Sequence, residues 1–150
     1  MSAYRRLKFD QSLWSTLRDI HAGVRAVFLW TSDQDNHGMA EHWGRPVPDA
    51  HGYLRGDCDD FAIECDHRAR EAGLAADAIC YYRCTTETGE GHLVLGVHTD
   101  AGVFMLDNRQ RHIRLADDLD RAGYGNWTRP QPGHAIHDLW QAVSFGLLSA

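Results

Sequence analysis

At 150 residues, 43% of them apolar and five of them Trp, the chain has enough material for one folded domain, expected to span residues 1–150, and too much apolar side chain for a disordered segment. Fifteen Lys and Arg against twenty-one Asp and Glu leave a net charge of −6 with no basic stripe, which argues against nucleic acid as a main partner. No run is long and apolar enough to cross a membrane, and no apolar segment of signal-peptide kind follows the basic pair Arg5-Arg6. No membrane partner is expected, and a cytoplasmic or phage- or virion-associated location is expected over a periplasmic one.

In chain order, Asp10 or Ser12 caps a predicted helix from Leu13 to Trp30, whose stripe of Leu13, Leu17, Ile20, Val24, Val27 and Phe28 faces a core. Thr31 to Arg55 is rich in Asp, Gly, His and Pro and has no period, so it reads as a long loop that lines a groove. A second helix starts at Asp57, a good N-cap, and ends at Gly73, a good left-handed cap. Ala62, Cys65, Ala69 and Ala72 form a narrow stripe of small residues along it. Asp77 to Thr86 alternates as a strand, and Glu87 to Gly91 is a turn. Gly91 to His98 is a second strand with Leu93, Leu95 and Val97 on one face and His92 on the other. Thr99 to Gly102 turns the chain into a third strand, Val103 to Asn108. Leu115 to Arg121 suits a short helix, Gly123 to Gly133 a loop, and Ala135 to Leu148 fits helix and sheet edge equally.

The chemistry gathers on three of these elements. Cys58 falls at the first helical position, where unpaired backbone N–H groups favour a thiolate and can hold an oxyanion; the neighbouring Asp57 and Asp59 oppose the thiolate, so a catalytic thiol there needs a nearby cation. Cys65, Cys80 and Cys84 lie on apolar stripes as buried thiols, and the spacing of the four fits no common zinc pattern. If Thr99 to Gly102 is the hairpin loop, Val103 pairs with His98, Arg109 comes opposite His92, and Asp107 lies one diagonal step from His92 on the same face. A helix-start Cys, a strand His and a next-strand Asp are the parts of a Cys–His–Asp triad.

The ordered set Gly56-Asp57-Cys58-Asp59-Asp60-Phe61-Ala62, then Gly91-His92-Leu93-Val94-Leu95, then Leu106-Asp107-Asn108 resembles the bacterial transglutaminase-like cysteine proteinases of the papain-like superfamily, the LapG type among them. Asp59 and Phe61 stand where the family usually has Glu and Tyr. The resemblance implies an α+β transglutaminase-like fold, with N-terminal helices packed on an antiparallel β-sheet. It implies a cysteine peptidase acting on a protein or peptide, with Cys58 as nucleophile, His92 as base and acid, and Asp107 orienting His92. No cofactor is required by that chemistry. In LapG-type relatives acidic residues flanking the nucleophile take part in calcium binding, and Asp57 and Asp59 match those places; the residues by themselves read equally well as a helix cap and a dipole partner.

Gln34, Asn36, His37, His42 and Trp43 are candidates for a second oxyanion donor, and the sequence does not choose among them. Two other classes share the same parts. Capture of the thioester by an amine would make the protein an acyl transferase, and a module that keeps the fold without catalysis would serve a larger, for example phage-borne, assembly.

Overall fold

The computed structural model describes residues 4–31 and 44–130. The elements run α1 (Gln11–Val27), β1 (Phe28–Trp30), β2 (Leu54–Gly56), α2 (Cys58–Glu71), a 3-10 turn (Ala76–Ala78), β3 (Ile79–Thr85), β4 (Gly91–Thr99), β5 (Gly102–Leu106), β6 (Arg114–Leu115), α3 (Ala116–Arg121) and β7 (Gly125–Thr128). The expected α+β architecture is the one found.

Asp10 caps α1 by accepting the Leu13 N–H at 2.8 Å, and Leu13, Leu17, Ile20 and Val24 bury the predicted stripe. The helix ends three residues before the expected Trp30. Phe28, Leu29 and Trp30 instead pair in parallel with Leu54, Arg55 and Gly56. Aromatic residues favour the extended form, and Phe28 gains an edge-on contact with Phe61, with ring centroids 5.2 Å apart. This short ribbon ties the end of α1 to the residues that lead into Cys58, and it corrects the reading of Thr31 to Arg55 as loop throughout.

The main sheet is antiparallel, in the order β6-β5-β4-β3-β7. The Thr99–Gly102 turn and the pairing of His98 with Val103 are as predicted. β5 stops at Leu106, however, so Arg109 does not come opposite His92; Asp107 leaves the ladder and turns instead. Each face of the sheet carries a core. On one, Leu93, Leu95, Val97, Phe104 and Leu106 pack with the buried residues of α1 and α2. On the other, Cys80, Tyr82, Cys84, Val94 and Met105 are covered by Leu119 and Tyr124.

The second core corrects the expected loop from Gly123 to Gly133, because Gly125–Thr128 adds β7 to the β3 edge. Trp127, partly buried there against Tyr82 and Tyr124, supplies the reason. α2 is also more buried than a narrow stripe: Asp59 through Asp66 and Ala69 are all buried, while Ala72 is exposed. Gly73 has φ 90°, the left-handed cap expected of it. All four cysteines are free thiols. No helix among the described residues is long and apolar enough to cross a membrane. The Ala135–Leu148 segment and the candidate oxyanion donors Gln34, Asn36, His37, His42 and Trp43 lie outside the described residues.

Candidate active site

The start of α2 is fixed by carboxylates. Asp57 is the N-cap and accepts the Asp59 N–H at 3.1 Å, while Asp60 reaches back to the Asp57 N–H at 3.0 Å, completing a capping box. The returning Asp60 side chain passes so close to Gly56 that a Cβ there would lie 2.3 Å from its carboxylate oxygen. Gly56 is therefore required by space, and the β2–α2 corner that presents Cys58 depends on it.

Cys58 is half-buried and packs against the core that α2 shares with β4, where Leu93 is one peptide link from His92. The thiol donates to Asp59 Oδ1 at 3.6 Å, and no hydrogen bond joins it to His92 in this structure. Its pKa is pushed well above the ordinary thiol value, by burial first and then by the Asp59 and Asp57 charges; the Leu93 N–H works the other way. The resting form is thus a protonated thiol, and the cation that the sequence called for is needed in the structure too.

His92 is the second residue of β4, buried, and its Nε2 is 2.7 Å from Asp107 Oδ1. The ring's Nδ1 is left for a second partner. Asp107 is fully buried, yet it remains ionised, with a pKa below the usual carboxylate value. Burial opposes the charge, while donors from His92, the Arg109 N–H (2.9 Å) and the Tyr124 hydroxyl (2.7 Å) outweigh it. The Asp107 carbonyl is 2.8 Å from His21 Nε2, and the His21 ring sits edge-on to Phe61, joining the Asp107 turn to both helices. The His21 pKa is lowered by its burial, so the ring is neutral and its Nε2–H donates.

The structure therefore brings His92 and Asp107 into direct contact and packs the helix that starts at Cys58 against β4, the strand that carries His92. Asp57 and Asp59 flank the thiol, and one carboxylate oxygen of each and Cys58 Sγ lie within 4.8 Å of one another. Sequence reasoning did not pick out Tyr124, Arg109 or His21. Tyr124 fell in a presumed loop, and Arg109, just past the expected third strand, was read only as the residue opposite His92. His21 lay beside the apolar stripe of α1, where a buried polar partner leaves no periodic signal. Arg45 holds Glu64 (2.9 Å) and Glu71 (3.1 Å), and a cleft of about 550 Å³ walled by Arg45, Val47, Leu54 and Glu64 lies along α2 away from Cys58.

A cysteine at a helix start, packed on an antiparallel sheet whose strand β4 holds His92 against Asp107, defines the class as transglutaminase-like. The chain belongs to the bacterial transglutaminase-like cysteine proteinases (BTLCP), whose family profile matches residues 1–144, and so to the cysteine peptidases. Among solved structures, LapG of Legionella pneumophila superposes with a TM-score of 0.62 at 17% identity, over 89% of this chain and 78% of that one. Its calcium-bound form gives 0.59 at 19% identity over 91% and 86%, and its EGTA-treated form 0.58 at 19% over 77% and 60%. No curated protein shows significant similarity to the chain.

Proposed function

We propose that the protein cleaves a peptide bond through a thioester, with Cys58 as nucleophile, His92 as base and acid, and Asp107 as the group that orients His92. The observation that carries this is the 2.7 Å His92–Asp107 contact near the start of the strand against which the Cys58 helix packs. Asp107 holds the proton on Nε2, so Nδ1 is the nitrogen that takes the thiol proton. The thiolate then attacks the carbonyl carbon; an S–C bond forms and the carbonyl π electrons move to oxygen. The Cys58 N–H, which the first residue of a helix leaves without an intrahelical partner, supports that oxyanion. As the C–N bond breaks, the imidazolium gives its proton to the leaving amine. Water, deprotonated by His92, attacks the thioester, and the C–S bond breaks to release the acid and restore the thiol.

Forming the ion pair means separating charge beside Asp57 and Asp59. Protonated His92 supplies one offset. Calcium held by Asp57 and Asp59 would supply another, since hard carboxylate oxygens suit it and their charge is what keeps the thiol protonated. Calcium takes about six to eight oxygens, so these two carboxylates would be part of its shell.

The test of the triad is labelling with a thiol-directed electrophile. Cys58 should react while the buried Cys65, Cys80 and Cys84 do not, and His92→Ala should abolish the labelling. Equal rates for Cys58 and Cys65 in the folded protein, or labelling indifferent to His92, would sink the reading. For calcium, the expected outcome is a rise in melting temperature at millimolar calcium, by mass action on the folded state, that Asp57→Ala removes. No rise would leave Asp57 and Asp59 as capping groups.

A further inference from the structure

Tyr124 lies outside every sequence motif, yet its hydroxyl meets Asp107 directly. It is 4% exposed, held at the end of α3 by its N–H on the Leu119 carbonyl at 3.0 Å, and it enters β7 from there. The ring stands edge-on to His92, with centroids 6.0 Å apart at 81°. The hydroxyl is 2.7 Å from Asp107 Oδ2, 2.8 Å from Arg109 Nη1 and 3.3 Å from Gln110 Nε2.

These contacts fix the direction of the hydroxyl proton. A tyrosine hydroxyl has one proton to give and can accept two. Arg109 has nothing but donors, so the hydroxyl accepts from it, and its own proton has one ionised acceptor to go to, Asp107. Arg109 is itself anchored by Glu87, with Nη1 2.9 Å from Oε2. A chain of charge-assisted bonds thus runs from the Glu87–Arg109 pair at the surface through Tyr124 to Asp107 and on to His92. Asp107 gives Oδ1 to His92 and to the Arg109 N–H, and Oδ2 to Tyr124. With both oxygens engaged, the carboxylate cannot turn away from the ring.

We propose that Tyr124, backed by Arg109, is a positioning residue of the catalytic site, which holds the Asp107 carboxylate ionised and aimed at His92. The proposal rests on the triad reading above and adds a fourth side chain acting through Asp107 rather than on substrate. Tyr124→Phe is the direct test, because it keeps the ring against His92 and removes only the hydroxyl.

The first readout is the carboxyl titration of Asp107, followed by its ¹³C resonance in the full chain. Losing a charge-assisted donor should raise its midpoint by about one pH unit. The second is the rate of Cys58 labelling, expected to fall roughly tenfold, as for loss of a group that acts through another. A role confined to packing would lower the melting temperature and leave the Asp107 titration where it is. An unchanged titration in folded Tyr124→Phe overturns the proposal. Should that variant fail to fold, Arg109→Gln reads the same coupling from the exposed end, and an Asp107 titration unmoved in it overturns the proposal equally. His92→Ala separates the two levels. If it labels like the wild type, the triad reading has failed; if it does not label and Tyr124→Phe shows no shift, only the positioning role has.

Discussion

Asp107 combines full burial with three donors on its two oxygens, and this combination makes its charge a property of the fold rather than of the solvent. A buried carboxylate stripped of donors would take up a proton and stop orienting the imidazole. Asp107→Asn keeps the shape and the volume but loses the charge that stabilises the imidazolium. It should fold, with Cys58 labelling reduced by about ten- to a thousand-fold, less than the loss in serine triads because a cysteine is more readily ionised. Asp107→Ala should be slower still, since it leaves the His92 N–H, the Arg109 N–H and the Tyr124 hydroxyl without their acceptor. Thermal melts beside labelling rates for both variants decide the matter. Undiminished labelling in folded Asp107→Ala would show that His92 is oriented by something else, and the triad would shrink to a dyad.

The β2–α2 corner is the element on which the thiol depends, and its geometry follows from one close approach. Because Asp60 folds back onto the Asp57 N–H, Gly56 has no room for a Cβ. Gly56→Ala should cost about 1–3 kcal/mol, the usual range for overpacking a tight site, measured by denaturant unfolding. In an Asp60→Ala background the same change should cost much less, because the clash partner is gone. Equal costs in both backgrounds would locate the strain elsewhere. The helix itself was legible from Asp57, the acidic first turn and Gly73, since caps are short-range chemistry written in adjacent residues. The β3–β4–β5 meander was legible too, from alternation and turn residues, and with it the closeness of His92 and Asp107. What could not be read were contacts whose partners lie far apart in the chain. β1 finds β2 across more than twenty residues, and β7 finds β3 across some forty. Tyr124 and His21 reach Asp107 from 17 and 86 residues away. No periodic pattern marks such residues, because each owes its position to the assembled sheet.

At the scale of the molecule, a sheet buried on both faces has polar groups enclosed on each, and they set how the fold answers to acid. On the face away from α1 and α2, His98 is 8% exposed and its Nε2 is 2.7 Å from the Tyr82 hydroxyl; Tyr4 stacks on its ring at 4.8 Å. Arg129 Nη1 is 3.3 Å from the same nitrogen, so that nitrogen is an acceptor and the ring is neutral. Burial, then the Arg129 and Arg6 charges, push the His98 pKa from 6.5 down to about 4. Below pH 6.5 the unfolded chain takes up a proton that the folded ring refuses, so the stability His98 contributes is full above that pH and is lost as pH falls toward 4. The slope is at most about 1.4 kcal/mol per pH unit. The lowered pKa of buried His21 acts in the same direction as pH falls below 6.5, and that of Asp107 does so at lower pH, as its carboxylate is forced to protonate. The melting temperature should therefore be level from neutral pH to about 6.5 and decline below it. His98→Gln, which is polar and does not titrate, should make the upper part of that decline shallower, leaving the share of His21, while lowering stability at neutral pH through imperfect packing. Parallel acid losses in the wild type and in His98→Gln would assign the sensitivity to other groups and remove His98 from the account.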